Sequence, residues 1–304
     1  MVFLPFYLFG ERRFEMIANE YGRLRQVAVR TPSVAYGSQQ KIDEQWQRLR
    51  YCGAPDFARA KDEHAALVAL LSGVGAEVVE LGGPADLTLD AVYTRDATVV
   101  TPKGLVLCNM GRPSRNAEPA LNAGLMRDQL GLPILGEVGG EGVIEGGDVI
   151  WLDEKSMAVG RGVRTNDQGI KQLKAMLGSD IDVEVIPLPE PRHPEDVFHL
   201  MMIISPLDAD LALVHAPSIP DSFAAVLNSR GIQRLAVPED EYENMACNVL
   251  ALGPREVVML EGLPTTKALL TAAGCRVHTY PGQEISFRGE GGATCLSLPL
   301  SRQA

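Results

Sequence analysis

The stretch ATVVTPKGLVLC, Ala97 to Cys108, holds two short apolar, β-branched runs separated by Pro102-Lys103-Gly104. Runs of this kind bounded by Pro and Gly read as strands, and so short a link between them reads as a hairpin. Similar links occur around Asp153-Glu154-Lys155 and Gly253-Pro254-Arg255. A doubly wound parallel sheet is the default for α/β alternation, but it accommodates repeated hairpins poorly.

Working outward, amphipathic helical patterns alternate with such runs. One follows Asp56 and stops at Gly73; others span 115–129, Asn166 to Gly178, Asp221 to Gly231, and 265–273 before Gly274. Asn or Asp at the start and Gly at the stop suit the geometry of helix caps. Strand-like runs lie at 26–30, 77–81, 97–101, 104–108, 148–152, 182–186, 211–215, 248–252, 256–260, 275–279 and 294–298. Strands and one helix thus recur with a period of roughly 45–55 residues, the mark of a repeated supersecondary unit. A closed ring of ββαβ units in a single α/β domain, 1–304, is the expected architecture. Residues 1–20 are expected to form an N-terminal extension. The segment 32–55, poor in apolar residues, reads as a long loop and a candidate lid.

Of 304 residues, 46% are hydrophobic and 22% charged, an ordinary globular composition. The net charge of −11 argues against a nucleic-acid partner. Five cysteines without a C-x-x-C pair point to free thiols in a reducing compartment. The five histidines show no metal-binding spacing, so no metal is expected. The apolar run Val2–Phe9 lacks a basic flank and is too short for a signal core or a span of about 20 residues. A cytoplasmic protein without a membrane partner follows as the expectation.

Four places could carry chemistry, and each also has a plain reading. Glu145-Gly146-Gly147-Asp148 sets two carboxylates beside two glycines at the mouth of a strand, or is an ordinary acidic turn. Asp96, in Tyr93-Thr94-Arg95-Asp96, is a carboxylate at the start of a strand, or a solvated neighbour of Arg95. His199 has apolar neighbours and is either a core histidine or a general acid/base facing a thiol. Cys295, after Gly291-Gly292-Ala293-Thr294, is either a core thiol or a nucleophile.

Taken in order, these motifs resemble those of the guanidino-group-modifying enzymes: dimethylarginine dimethylaminohydrolases, arginine deiminases and amidinotransferases. The resemblance runs from about Val29 to Leu300 and includes Arg115, nineteen positions after Asp96, and Arg164 in Arg164-Thr165-Asn166. It implies a five-bladed α/β propeller of ββαβ units. It also implies catalytic roles for Cys295, His199, Glu145 and Asp96, and carboxylate binding by Arg115 and Arg164. Asp148 and Asp90 are expected to contact substrate. Asp96 and Glu145 would clamp the guanidinium while Cys295 attacks its carbon, giving a covalent thiouronium that water hydrolyses with His199 as acid and then base.

Two residues bear on the choice within the group. Met201 stands where deiminases and amidinotransferases carry a second clamping Asp, which favours an N-substituted guanidine. Arg95 gives a Thr-Arg-Asp closer to the deiminase pattern. The expected reaction is methylated arginine to citrulline and a methylamine. Hydrolysis of arginine or another guanidino acid comes next, then amidino transfer, with a non-enzymatic propeller that binds a partner last. No cofactor is implied. The expected partners are a small guanidino molecule and, as an open alternative, a second copy of the chain in a homodimer.

Overall fold

The computed structural model describes residues 19–190 and 198–303, so the expected extension at 1–20 lies almost wholly outside the described residues. The described residues form five three-stranded sheets. The hairpin that opened the sequence reading is β3 (Thr98–Thr101) with β4 (Gly104–Leu107), antiparallel with Thr101 opposite Gly104. Helix α4 (Glu118–Leu130) then crosses over and brings β5 (Ile134–Glu137) parallel to β4. A parallel neighbour needs such a crossover, and a helix of about three turns supplies it.

The plan repeats. In the next unit β6 (Val149–Asp153) and β7 (Ser156–Arg161) pair before α5 (Asp167–Leu177) and β8 (Asp182–Pro187). In the third, β9 (Ile204–Asp208) and β10 (Leu211–Val214) precede α6 (Asp221–Ser229) and β11 (Gln233–Ala236). After the short α7 (Glu239–Tyr242), the fourth has β12 (Leu250–Gly253), β13 (Glu256–Leu260), α8 (Pro264–Ala272) and β14 (Arg276–Tyr280). The fifth joins the two ends of the chain. Its β15 (Leu298–Gln303) runs antiparallel to β1 (Arg23–Val29), and β2 (Glu77–Glu80) lies parallel on the other side. Between β1 and β2 come α1 (Pro32–Ala35), α2 (Gln39–Gln45) and α3 (Phe57–Gly73).

The five long helices lie in the expected stretches; α3 and α5 carry their expected side-chain caps, whereas α4, α6 and α8 begin without one. The Asp56 side chain accepts from the Arg59 N–H, the Asn166 side chain accepts from the Gly169 N–H, and α4 stops at a left-handed Gly131. Among the described residues no helix is long and apolar enough to cross a membrane.

Three readings change. The segment 32–55 is not one long loop: α1 and α2 lie in it, and Tyr36, Ile42, Leu49 and Tyr51 are buried in the core. Helices of four and seven residues are too short to show a 3.6-residue period. The strands β5, β9 and β11 add to those expected; β5 and β11 are short edges carrying exposed residues, and β9 contains Pro206. The last strand begins at Leu298, so Cys295 sits in the turn before it, with its N–H donating to the Gly292 carbonyl.

Candidate active site

Each of the five units places one polar side chain within five residues ahead of its first strand. Asp96 precedes β3, Glu145 precedes β6, His199 precedes β9, Asn248 precedes β12 and Cys295 precedes β15. All five are buried. The repetition is what lets residues scattered over two hundred positions approach one another.

Glu145 is fully buried. Its Oε2 accepts from Arg164 Nε at 3.1 Å and lies 2.8 Å from His199 Nε2, while Oε1 accepts from the Gly111 N–H at 2.8 Å. Burial opposes its ionisation, but Arg164 and then His199 overrule it and hold the carboxyl well below the usual range. A carboxylate on Nε2 makes that nitrogen the donor, which leaves Nδ1 to do other work. Nδ1 has no hydrogen-bond partner and faces Asp96 Oδ1, itself unpartnered, at 3.7 Å. Burial disfavours the charged imidazole, yet Asp96, then Asp148 and Glu145, outweigh it and raise the His199 pKa.

The other oxygen of Asp96 accepts from Arg115 Nη1 at 2.6 Å. Arg115 is heavily engaged: it forks onto Glu118 at 2.9 and 2.8 Å and donates to the Tyr93 carbonyl at 2.8 Å. Asp90 pairs with Arg112 at 2.6 Å. Asp96, Asp90, Arg112, Arg115, Arg164 and Cys295 line one pocket, and Gly289, Glu290 and Gly291 form another part of its wall. His199 and Glu145 stand behind it, touching the lining residues Asp96 and Arg164.

Cys295 differs from the other four thiols. Cys108, Cys247 and Cys275 are buried and Cys52 is exposed, and none of them lines this pocket. The Cys295 sulfur accepts from Asn248 Nδ2 at 3.2 Å. Burial pushes its thiol up to about 11, with Asp96 adding to the shift and the hydrogen bonds from Asn248 and Thr294 opposing it.

Several expected roles do not match this geometry. Both oxygens of Glu145 are occupied, and Glu145 is not among the lining residues, so its contacts suit the orientation of His199 better than a direct clamp. Asp148, expected to touch substrate, is fully buried away from the pocket. It accepts from Thr165 Oγ1 at 2.6 Å and from the Leu200 N–H at 2.9 Å, and burial pushes its carboxyl up to about 6. It therefore holds the backbone next to His199. Met201 packs among Ile150, Ile203 and Ile204 rather than in the pocket, so it does not sit where a second clamp would. Arg95 pairs with Glu20 at 2.8 Å, also outside the pocket. Asn248, Arg112, Glu118 and Thr165 were not anticipated; only the place of Asn248 before a strand of the fourth unit could have drawn notice.

Asp96, Glu145 and His199 each bring a ligand-type atom within 4.8 Å of the others. A metal ion there would meet the guanidinium groups of Arg115 and Arg164 already paired with the two carboxylates. The glycines explain how the groups come so close. A Cβ on Gly147 would stand 2.6 Å from His199 Nδ1 and 2.8 Å from Asp96 Oδ1.

A dimethylarginine dimethylaminohydrolase of Streptomyces coelicolor is 30% identical over 248 residues, covering 81% of this chain and 87% of that protein. The dimethylarginine dimethylaminohydrolase of Pseudomonas aeruginosa, solved as a mutant complexed with citrulline, superposes with a TM-score of 0.72 at 22% identity, covering 91% of this chain and 99% of that one. The N-terminal domain of a cyanobacterial arginine dihydrolase, bound to product, gives a TM-score of 0.75 at 22% identity, covering 91% of this chain and 97% of the other. At that identity the two structures share the fold. The family model described as N,N dimethylarginine dimethylhydrolase, eukaryotic, matches residues 39–302, and this chain belongs to that family of guanidino-group hydrolases.

Proposed function

We propose that the protein is a cysteine-dependent hydrolase that converts a methylated arginine to citrulline and a methylamine through a thiouronium on Cys295. The observation that carries this reading is the pocket that Cys295, Asp96 and Arg164 line together, with the unpartnered Oδ1 of Asp96 facing the unpartnered Nδ1 of His199 behind it. The five sheets would be the blades of a propeller. Support for that comes from the five repeats and from β15 pairing with β1 across the chain ends.

A guanidinium carbon is stabilised by resonance, so attack on it needs a strong, soft nucleophile, which a thiolate is. The resting thiol is held neutral partly by Asp96. A guanidinium that binds beside Asp96 offsets that charge, and the thiol proton leaves to solvent as the cation arrives. The thiolate attacks the carbon, and His199 passes its Nδ1 proton to the departing amine as the C–N bond breaks. Neutral His199 then takes a proton from water. The oxygen attacks the thiouronium carbon, and the C–S bond breaks with its electron pair returning to sulfur. The hydroxyl proton left on the product passes to that sulfur and restores the thiol, and neutral citrulline remains. In this scheme Glu145 keeps His199 charged and oriented, Asp148 fixes the adjoining backbone, and Arg164 meets the substrate carboxylate.

Arginine itself is the competing substrate, and it would release ammonia. A panel of arginine, mono- and dimethylarginines and guanidino acids, scored together for ureido product and released amine, separates these readings from amidino transfer, which yields no ureido product. Methylarginines should give equal amounts of both products. Full turnover by Cys295→Ser, with no covalent adduct in the native enzyme, would overturn the mechanism.

A further inference from the structure

Asn248 occupies, in the fourth unit, the place that Asp96, Glu145, His199 and Cys295 occupy in the others. From the amide orientation we infer that Asn248 is a positioning residue that sets the ionisation of the nucleophile, holding the Cys295 sulfur as an acceptor. This inference deepens the reading of Cys295 as nucleophile and rests on it.

The orientation of the amide is not free. Its Oδ1 accepts from the Thr294 backbone N–H at 2.9 Å and from Thr294 Oγ1 at 2.6 Å. A backbone N–H can only donate, so the carbonyl end must face Thr294 and the NH₂ end must face sulfur, 3.2 Å away. An N–H directed at sulfur favours the thiolate over the thiol, both before attack and when the sulfur leaves the thiouronium.

The residue is itself braced from the His199 unit. Ser205, on β9, donates through Oγ to the Cys247 carbonyl at 2.6 Å and accepts from the Val249 N–H at 3.1 Å, which grips the backbone on both sides of Asn248. Room for the amide comes from Gly292, where a Cβ would stand 2.6 Å from Asn248 Oδ1. The amide is thus held between the unit that carries the acid and the turn that carries the nucleophile.

The test needs no substrate, which separates it from the test of the proposed reaction. Iodoacetamide labelling of Cys295, followed by peptide mass across a pH series, is compared in native protein, Asn248→Ala, Asn248→Asp and Ser205→Ala, each checked for folding by thermal melting. Asn248→Ala should move the labelling midpoint up and slow labelling at neutral pH at least fivefold. Asn248→Asp, of the same shape but bearing a negative charge, should move the midpoint further. Ser205→Ala, which loosens the backbone on both sides of Asn248 while keeping the asparagine and touching neither Thr294 nor the sulfur, should give a smaller shift in the same direction, and it carries the test if Asn248→Ala does not fold. Unchanged midpoints in the folded variants would overturn the inference, even if the substrate panel confirmed the hydrolase.

Discussion

Arg115 Nη1 lies 2.6 Å from Asp96 Oδ2, and both side chains are buried. With Glu118 and the Tyr93 carbonyl also on its guanidinium, Arg115 is fastened to the protein before any ligand arrives. Its first task is therefore to hold Asp96 in place, and only one N–H of its guanidinium is left to offer a substrate.

Replacing it should show in stability. Arg115→Ala strands two buried carboxylates, and removing one partner of a buried pair typically costs about 3–5 kcal/mol. A clear fall in thermal or denaturant midpoint should accompany lost activity. Lost substrate affinity with unchanged stability would return Arg115 to a purely substrate-binding role.

Arg164, which lines the same pocket, should behave differently. Among the described residues it pairs with one carboxylate, Glu145 at 3.0 Å, where Arg115 holds two and a carbonyl, and so it keeps more N–H groups for a substrate. Arg164→Ala should raise KM for the amino-acid substrate at least about tenfold, equivalent to about 1.4 kcal/mol. Cys295 should stay open to alkylation in this variant. An unchanged KM would show that the substrate carboxylate binds elsewhere.

Gly147→Ala tests the closeness of His199 and Asp96. Its methyl would lie under 3 Å from both. Displacing catalytic groups by about 1 Å can lower turnover roughly 10²-fold, whereas overpacking at one position costs about 1–3 kcal/mol of stability. Steady-state kinetics and melting of the same preparation should show a large fall in kcat with the fold retained.

Cys295 should respond to both pH and ligand. With its thiol pushed up to about 11, ligand-free Cys295 should be almost wholly protonated at neutral pH, and its thiolate absorbance should rise only as pH approaches that value. A non-reacting guanidinium compound at saturation should move the transition down, because a cation beside Asp96 favours the anion. Titration of native protein against Cys295→Ser checks this; a midpoint unmoved by ligand would remove substrate-assisted ionisation from the scheme.

Much of this was legible in the chain. The hairpin at Pro102-Lys103-Gly104 and the Asn or Asp caps of α3 and α5 are local features, set by neighbouring residues, and they reappear in the structure. The ordered motifs that marked Asp96, Glu145, His199 and Cys295 were likewise read from residue type and spacing alone. The segment 32–55 was misread because its helices are too short to show a period and its few apolar residues, such as Tyr36, Ile42 and Tyr51, join a core cluster with residues as distant as Tyr280 and Leu296.

The sequence by itself determined the repeating unit, the identity of the nucleophile candidate and the family resemblance, since all three depend on residue type and spacing along the chain. Only the tertiary structure decided the division of labour. It put Arg115 on Asp96 and Glu118, turned both oxygens of Glu145 to other partners, moved Asp148 and Met201 out of the pocket and brought Asn248 to the sulfur. Hydrogen bonds and ion pairs act over about 3 Å and require particular directions. Whether two residues dozens of positions apart meet those limits depends on how the sheets are set against one another, which spacing along the chain does not specify.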